Sequence, residues 1–154
     1  MNVINGGRHA ANPLDFQEFM IVPHGAPSFP DAIRQGVEVY HALRRLLEQR
    51  GLTTAVGDEG GFAPALRVHD EALDLLVEAI AAAGLAPGRD MSIALDVAAS
   101  ELADGDGYVF RKAGGPKRPA DELITLYARW CATYPIVSIE DGLGENDWAG
   151  WQRL

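Results

Sequence analysis

SIALDVAAS, residues 92–100, decides the fold. Ile93, Ala94, Leu95 and Val97 are apolar at nearly every step, not at alternate ones, and Asp96 interrupts them near the end. A strand apolar on consecutive positions has both faces covered, the condition of a parallel sheet flanked by helices. Three further stretches read the same way: FQEFMIVP (16–23), TTAVGDE (53–59) and IVSIEDGL (136–143).

Helical periodicity fills the intervals. From about Pro30 to Arg50, Ile33, Val37, Tyr40, Leu43 and Leu47 recur at three- and four-residue steps, with Ser28 as a cap and Gly51 as a terminator. His69 to Ala83 turns Ala72, Leu73, Leu76, Val77 and Ile80 inward and stops at Gly84. Ala120 to Tyr134 places Leu123, Tyr127, Trp130 and Tyr134 on one face before Pro135, and DWAGWQRL opens another helix, with Trp148 and Trp151 as a packing face. Residues 103–119, ADGDGYVFRKAGGPKRP, are turn-rich and predict a small surface hairpin or excursion. Alternating strands and helices predict an α/β fold with a parallel sheet, either doubly wound or part of a barrel. No linker composition divides residues 1–154, so one domain is expected.

Each predicted strand carries an acid in its C-terminal half or at its end: Glu18, Glu59, Asp96 and Glu140, separated by 41, 37 and 44 residues. That spacing is about one strand-helix unit, and ligands of parallel α/β folds bind at the carboxyl ends of strands. Converging carboxylates repel one another and resist burial unless some are protonated or a cation sits among them. Oxygen donors without a Cys or His cluster favour a hard ion, Mg²⁺ ahead of Ca²⁺ or Zn²⁺. The plainer alternative is that each acid caps a helix or pairs with a basic neighbour.

The net charge of −9 argues against non-specific nucleic-acid binding, and no apolar run is long enough for a membrane span. The opening residues have no secretory signal pattern, and the single Cys131 fits a reducing cytoplasm, reading as a small buried residue of a helix. His9 follows paired glycines in NGGRHAAN, while His24, His41 and His69 have no partner legible in the sequence. In GDEGGFAP (57–64), glycines on both sides of Asp58 and Glu59 let the backbone come close to something else.

Four strings, MNVINGGRHAANPLDFQEFM, VGDEGGFAP, ALDVAASE and PIVSIEDGLGENDW, in this order and spacing, resemble enolase, and the likeness runs through the helix EVYHALRRLLEQRGL. The resemblance implies a partial TIM-like (β/α) barrel, about half of the enolase C-terminal barrel domain. It implies reversible dehydration of 2-phosphoglycerate to phosphoenolpyruvate with Mg²⁺, in which charge stabilisation is the main contribution. Asp96 and Glu140 then correspond to metal ligands, Glu59 to the general acid, Glu18 to its assistant, and His9 and Gln17 to substrate contacts. Glu18 also counts among the substrate contacts, the glycines give Glu59 access to the ligand, and Asp58 secures the loop.

The family pattern assigns the base lysine, the third metal carboxylate and the phosphate-binding arginine to later strands, and a mobile-loop serine to an amino-terminal domain. Lys112 and Lys117 match neither catalytic lysine of the family. The chain is therefore expected to be an incomplete barrel domain, inactive by itself. The resemblance further implies a homodimer, sometimes an octamer, located in the cytoplasm, with cell-surface forms in some members. Two other readings are a racemase or cycloisomerase of the same superfamily and a non-catalytic surface-binding protein.

Overall fold

The computed structural model describes residues 1–154. Its centre is a four-stranded sheet of β1 (Asn2–Asn5), β2 (Glu18–Val22), β3 (Ser92–Asp96) and β6 (Ile136–Glu140), in the order β1-β2-β3-β6. The α/β class is as expected, but the sheet is mixed. β2 runs antiparallel to both β1 and β3, and only β3 and β6 are parallel.

The connections explain that departure. One helix, α3 (Ala120–Thr133), returns the chain from β3 to β6 and leaves the strands parallel. Two helices, α1 (Phe29–Gln49) and α2 (His69–Ala82), pack together between β2 and β3. The second helix adds one more reversal, so β3 enters antiparallel to β2.

The expected strand at 53–59 is not one. It lies in the connection between α1 and α2, where only Val56 forms a bridge, with Phe62. β1 was not expected, because NVIN is short and bounded by asparagines. The predicted excursion is a hairpin of β4 (Ala103–Asp104) and β5 (Gly107–Tyr108).

Ser28 caps α1, its Oγ accepting the Asp31 N–H at 3.3 Å, with Pro30 in the first turn and Gly51 beyond the end at φ 67°. The buried face of α1 is Gly36, Val39, Ala42, Leu43 and Leu47, whereas Ile33 and Val37 are exposed. The expected stripe was thus rotated toward the small residues Gly36 and Ala42, and a Cβ on Gly36 would meet Met1 Sδ at 3.4 Å. α2 buries Ala72, Leu73, Leu76 and Ile80 as expected, and lacks a side-chain cap at Val68. Glu71 compensates by accepting the Arg67 N–H at 2.8 Å.

α3 buries Leu123, Tyr127 and Trp130. Cys131 lies in this helix but is exposed, contrary to the expectation of burial. Trp148 and Trp151, on the short α4 (Trp148–Trp151), are both exposed and do not form the expected packing face, although Trp151 Nε1 donates to the Gly144 carbonyl at 3.0 Å.

The core lies between the sheet and these helices. Phe16 is its hub, with ring centroids 4.5 Å from His69, 5.5 Å from Trp130 and 5.6 Å from Phe110. Fully burying such side chains contributes about 2–3 kcal/mol each, so this cluster fixes the segment that leads into β2. No helix is long and apolar enough to cross a membrane.

Candidate active site

Strand register brings three of the acids together. Glu18 stands at the amino end of β2 and not toward its carboxyl end as expected, and the antiparallel pairing sets it beside Asp96 on β3, which pairs with Glu140 on β6. Register partners project to the same face, so the three carboxylates form a row across adjacent strands. Glu18 and Asp96 are half-buried, and Glu140 is exposed.

The row is electrostatically tense. Burial, then the neighbouring Asp96, Glu59 and Glu140, raise the Glu18 pKa above the ordinary carboxylate range. Burial and then Glu140 and Asp141 raise that of Asp96, against the Ala98 N–H that donates to its Oδ1 at 2.9 Å. Each group gains from a proton or a cation nearby.

The backbone just past two of these acids is strained. Ala98, two residues after Asp96, has φ 48°, and Asp141, one after Glu140, has φ 47°. Left-handed geometry at non-glycine residues costs about 1–3 kcal/mol and clusters at functional sites. Here Ala99 N–H donates to the Asp141 carbonyl at 2.9 Å and ties the two turns together.

Two loops complete the group. A ligand atom from each of His9, Glu18 and Glu59 lies within 4.8 Å of the others, and His9 Nδ1 stands 3.5 Å from Glu18 Oε1. Asp96 and Glu140 are outside that triplet, so the site has two halves meeting at Glu18. Gln17 precedes Glu18 and is half-buried, its N–H donating to the Asp96 carbonyl at 3.1 Å.

The glycines of GDEGG have a steric purpose. A Cβ on Gly57 would lie 2.4 Å from the His9 carbonyl oxygen, and one on Gly61 would lie 2.9 Å from Ile4 N. Gly60 turns the chain at φ 80°. The glycines therefore admit the loop against β1 and the His9 loop, and that contact carries Glu59 to Glu18. Asp58 secures the loop through its backbone, its N–H donating to the His9 carbonyl at 3.0 Å.

Several contributors had no signal in the sequence. Asn12 Nδ2 donates to the Asn5 carbonyl at 2.8 Å and the Pro64 carbonyl at 3.1 Å, joining the two loops to β1. His69, buried at the start of α2, accepts the Asp15 N–H at 3.0 Å through Nε2. The only hint for either was a polar residue within an otherwise apolar neighbourhood. Two clefts lie away from these residues, one of about 510 Å³ beside the hairpin and one of about 530 Å³ between α2 and α3. Donor chemistry, not cavity volume, marks this site.

The family described as "Enolase, C-terminal TIM barrel domain" matches residues 1–154. The chain belongs to the enolase family. It is 52% identical over all 154 of its residues to Enolase 1 of Chlorobaculum tepidum. It spans 36% of that relative's length, about a third. As a member of the enolase C-terminal barrel family, the chain holds a partial sheet with open edges and not a closed cylinder.

Proposed function

We propose that this chain carries one part of the active site of a phosphopyruvate hydratase, the lyase that interconverts 2-phosphoglycerate and phosphoenolpyruvate in glycolysis. The supporting observation is the row Glu18, Asp96 and Glu140 on adjacent strands, met by His9 and Glu59 from two loops. The three carboxylates of the row fit Mg²⁺: they offer oxygen donors alone, two of them with raised pKa values, and no lysine or arginine pairs with them. Asp96 and Glu140 would hold the ion, with a third carboxylate from elsewhere in the complete enzyme. Bound there, Mg²⁺ supplies positive charge where the substrate carboxylate becomes more negative.

The chain's own residues handle the leaving group. In dehydration the C–O bond breaks, and the departing hydroxyl takes a proton from Glu59 to leave as water. Glu18, whose pKa burial and its acidic neighbours raise, orients the departing hydroxyl beside Glu59. His9 and Gln17 contact substrate on the same side. The base that removes the carbon-bound proton is a lysine of a later strand, so the activity belongs to the complete enzyme. Its homodimeric or octameric state and cytoplasmic location rest on family likeness, as does the assignment of residues 1–154 to one incomplete barrel domain.

The test is Glu59→Gln in the complete enzyme. Dehydration falls by at least about 100-fold with Mg²⁺ affinity retained, in line with loss of a general acid. Full dehydration by the variant refutes the role. Phosphoenolpyruvate formation by the 154-residue polypeptide alone would equally refute the division of labour proposed here.

A further inference from the structure

Lys112 belongs to none of the roles above, yet it reaches the loop that carries His9. Its Nζ donates to the Gly7 carbonyl at 2.6 Å and the Ala10 carbonyl at 2.7 Å. Those carbonyls bracket Arg8 and His9, so one ammonium closes the turn from which the imidazole projects toward Glu18.

Lys112 is itself held from the other side. The buried Asp15 carboxylate accepts the Lys112 N–H through Oδ1 and the Ala113 N–H through Oδ2, each at 2.9 Å. Asp15 in turn donates its N–H to buried His69. A continuous path of hydrogen bonds runs from the core to the His9 loop. The guanidinium of Arg111 braces the turn after β3, donating to the Glu101 and Ala103 carbonyls at 3.1 Å each.

We infer that Lys112, fixed by Asp15, is a positioning residue that holds His9 at the substrate side of Glu18. This rests on the hydratase reading above. The charge of Lys112 meets two carbonyl oxygens instead of a carboxylate, an arrangement that orients a loop better than it neutralises an acid. A neutral, apolar replacement leaves both carbonyls without their donor and lets the turn relax. Misplacement by about 1 Å at a reacting centre costs up to about 100-fold.

The experiment is steady-state kinetics on the complete enzyme with Lys112→Met, Lys112→Arg, His9→Asn, the Lys112→Met/His9→Asn pair and Lys117→Met. Wild-type turnover of 2-phosphoglycerate is the first condition, and its absence counts against the hydratase reading, not against the strut. Given turnover, Lys112→Met lowers kcat/KM by about tenfold or more, and Lys112→Arg restores most of it. The paired variant matches His9→Asn alone, because the lysine acts through the histidine. Lys117→Met, which removes only an exposed pair with Asp106 on the hairpin, leaves the kinetics unchanged. Wild-type rates in Lys112→Met, or losses that multiply in the paired variant, overturn the inference. If Lys112→Met does not fold, Lys112→Gln carries the same comparison, since its amide can donate to one carbonyl only.

Discussion

The two halves of the site are built by different physics. Glu18, Asp96 and Glu140 owe their meeting to strand register, which a ladder of backbone hydrogen bonds fixes at once for the whole row. His9 and Glu59 stand on loops, and their meeting with Glu18 depends on a few close contacts: the glycine packing at 57–61, Asn12, Lys112 and the buried pair His69 and Asp15. A register is hard to break with one substitution. A loop contact is not, so the loop half should fail first and should fail separately.

The largest expected effect acts on the anchor of the loop half. Burial lowers the His69 pKa from 6.5 to about 4, and the neutral ring is what accepts the Asp15 N–H. Between those values the unfolded chain binds a proton that the folded chain refuses. Stability is therefore whole above about pH 6.5 and falls by about 3 kcal/mol as pH drops toward 4. Urea unfolding between pH 7 and 4 measures this, and His69→Gln should flatten the dependence. An unchanged slope in that variant assigns the acid sensitivity elsewhere.

Next comes the strand half. Asp96→Asn keeps the ladder but removes one carboxylate charge at the centre of the row. Loss of an ion ligand costs more than loss of a supporting hydrogen bond, so Mg²⁺ affinity of the complete enzyme falls by at least about 100-fold. Calorimetric titration checks it. The folded state should not suffer, because Asp96 is a carboxylate that burial and neighbours already disfavour as an anion.

These halves also differed in legibility. Asp96 and Glu140 were readable because an acid closing an apolar run marks the carboxyl end of a strand, whereas Glu18 opens β2 and joins them only because that strand runs antiparallel to β3. Even so, the direction of β2 was missed: helix count, not strand pattern, sets direction, and two helices in succession were hidden by reading 53–59 as a strand between them. That segment is apolar without being paired, since Ala55 and Val56 are exposed and the turn around Glu59 consumes its hydrogen bonds. Asp15, Lys112 and His69 were illegible for a further reason. Their partners lie 53 to 105 residues away, in contacts that no local pattern encodes.

Gly57→Ala is the intermediate case and separates the halves most directly. Its added methyl meets the His9 carbonyl, a backbone atom that cannot move without carrying His9 with it. Turnover by the complete enzyme should drop about tenfold or more, while Mg²⁺ affinity stays within about threefold of wild type. Equal losses in both would mean that the loop packing supports the strand row as well, and the division drawn between them would be lost.

Ser28→Ala is the smallest effect and belongs to neither half. The Ser28 hydroxyl caps α1, accepting the Asp31 N–H and donating to the Asp31 carboxylate at 2.6 Å. Removing an exposed cap costs about 1 kcal/mol, visible as a small shift in the urea midpoint. Kinetic constants and Mg²⁺ affinity should not move, because α1 supplies none of the acids and meets the Glu59 loop through Tyr40, whose ring stacks on Phe62 and whose hydroxyl donates to the Gly60 carbonyl at 2.9 Å. If turnover nevertheless fell with this variant, that tyrosine contact would be the route. The loop half would then answer to the stability of α1 as well as to its own glycines.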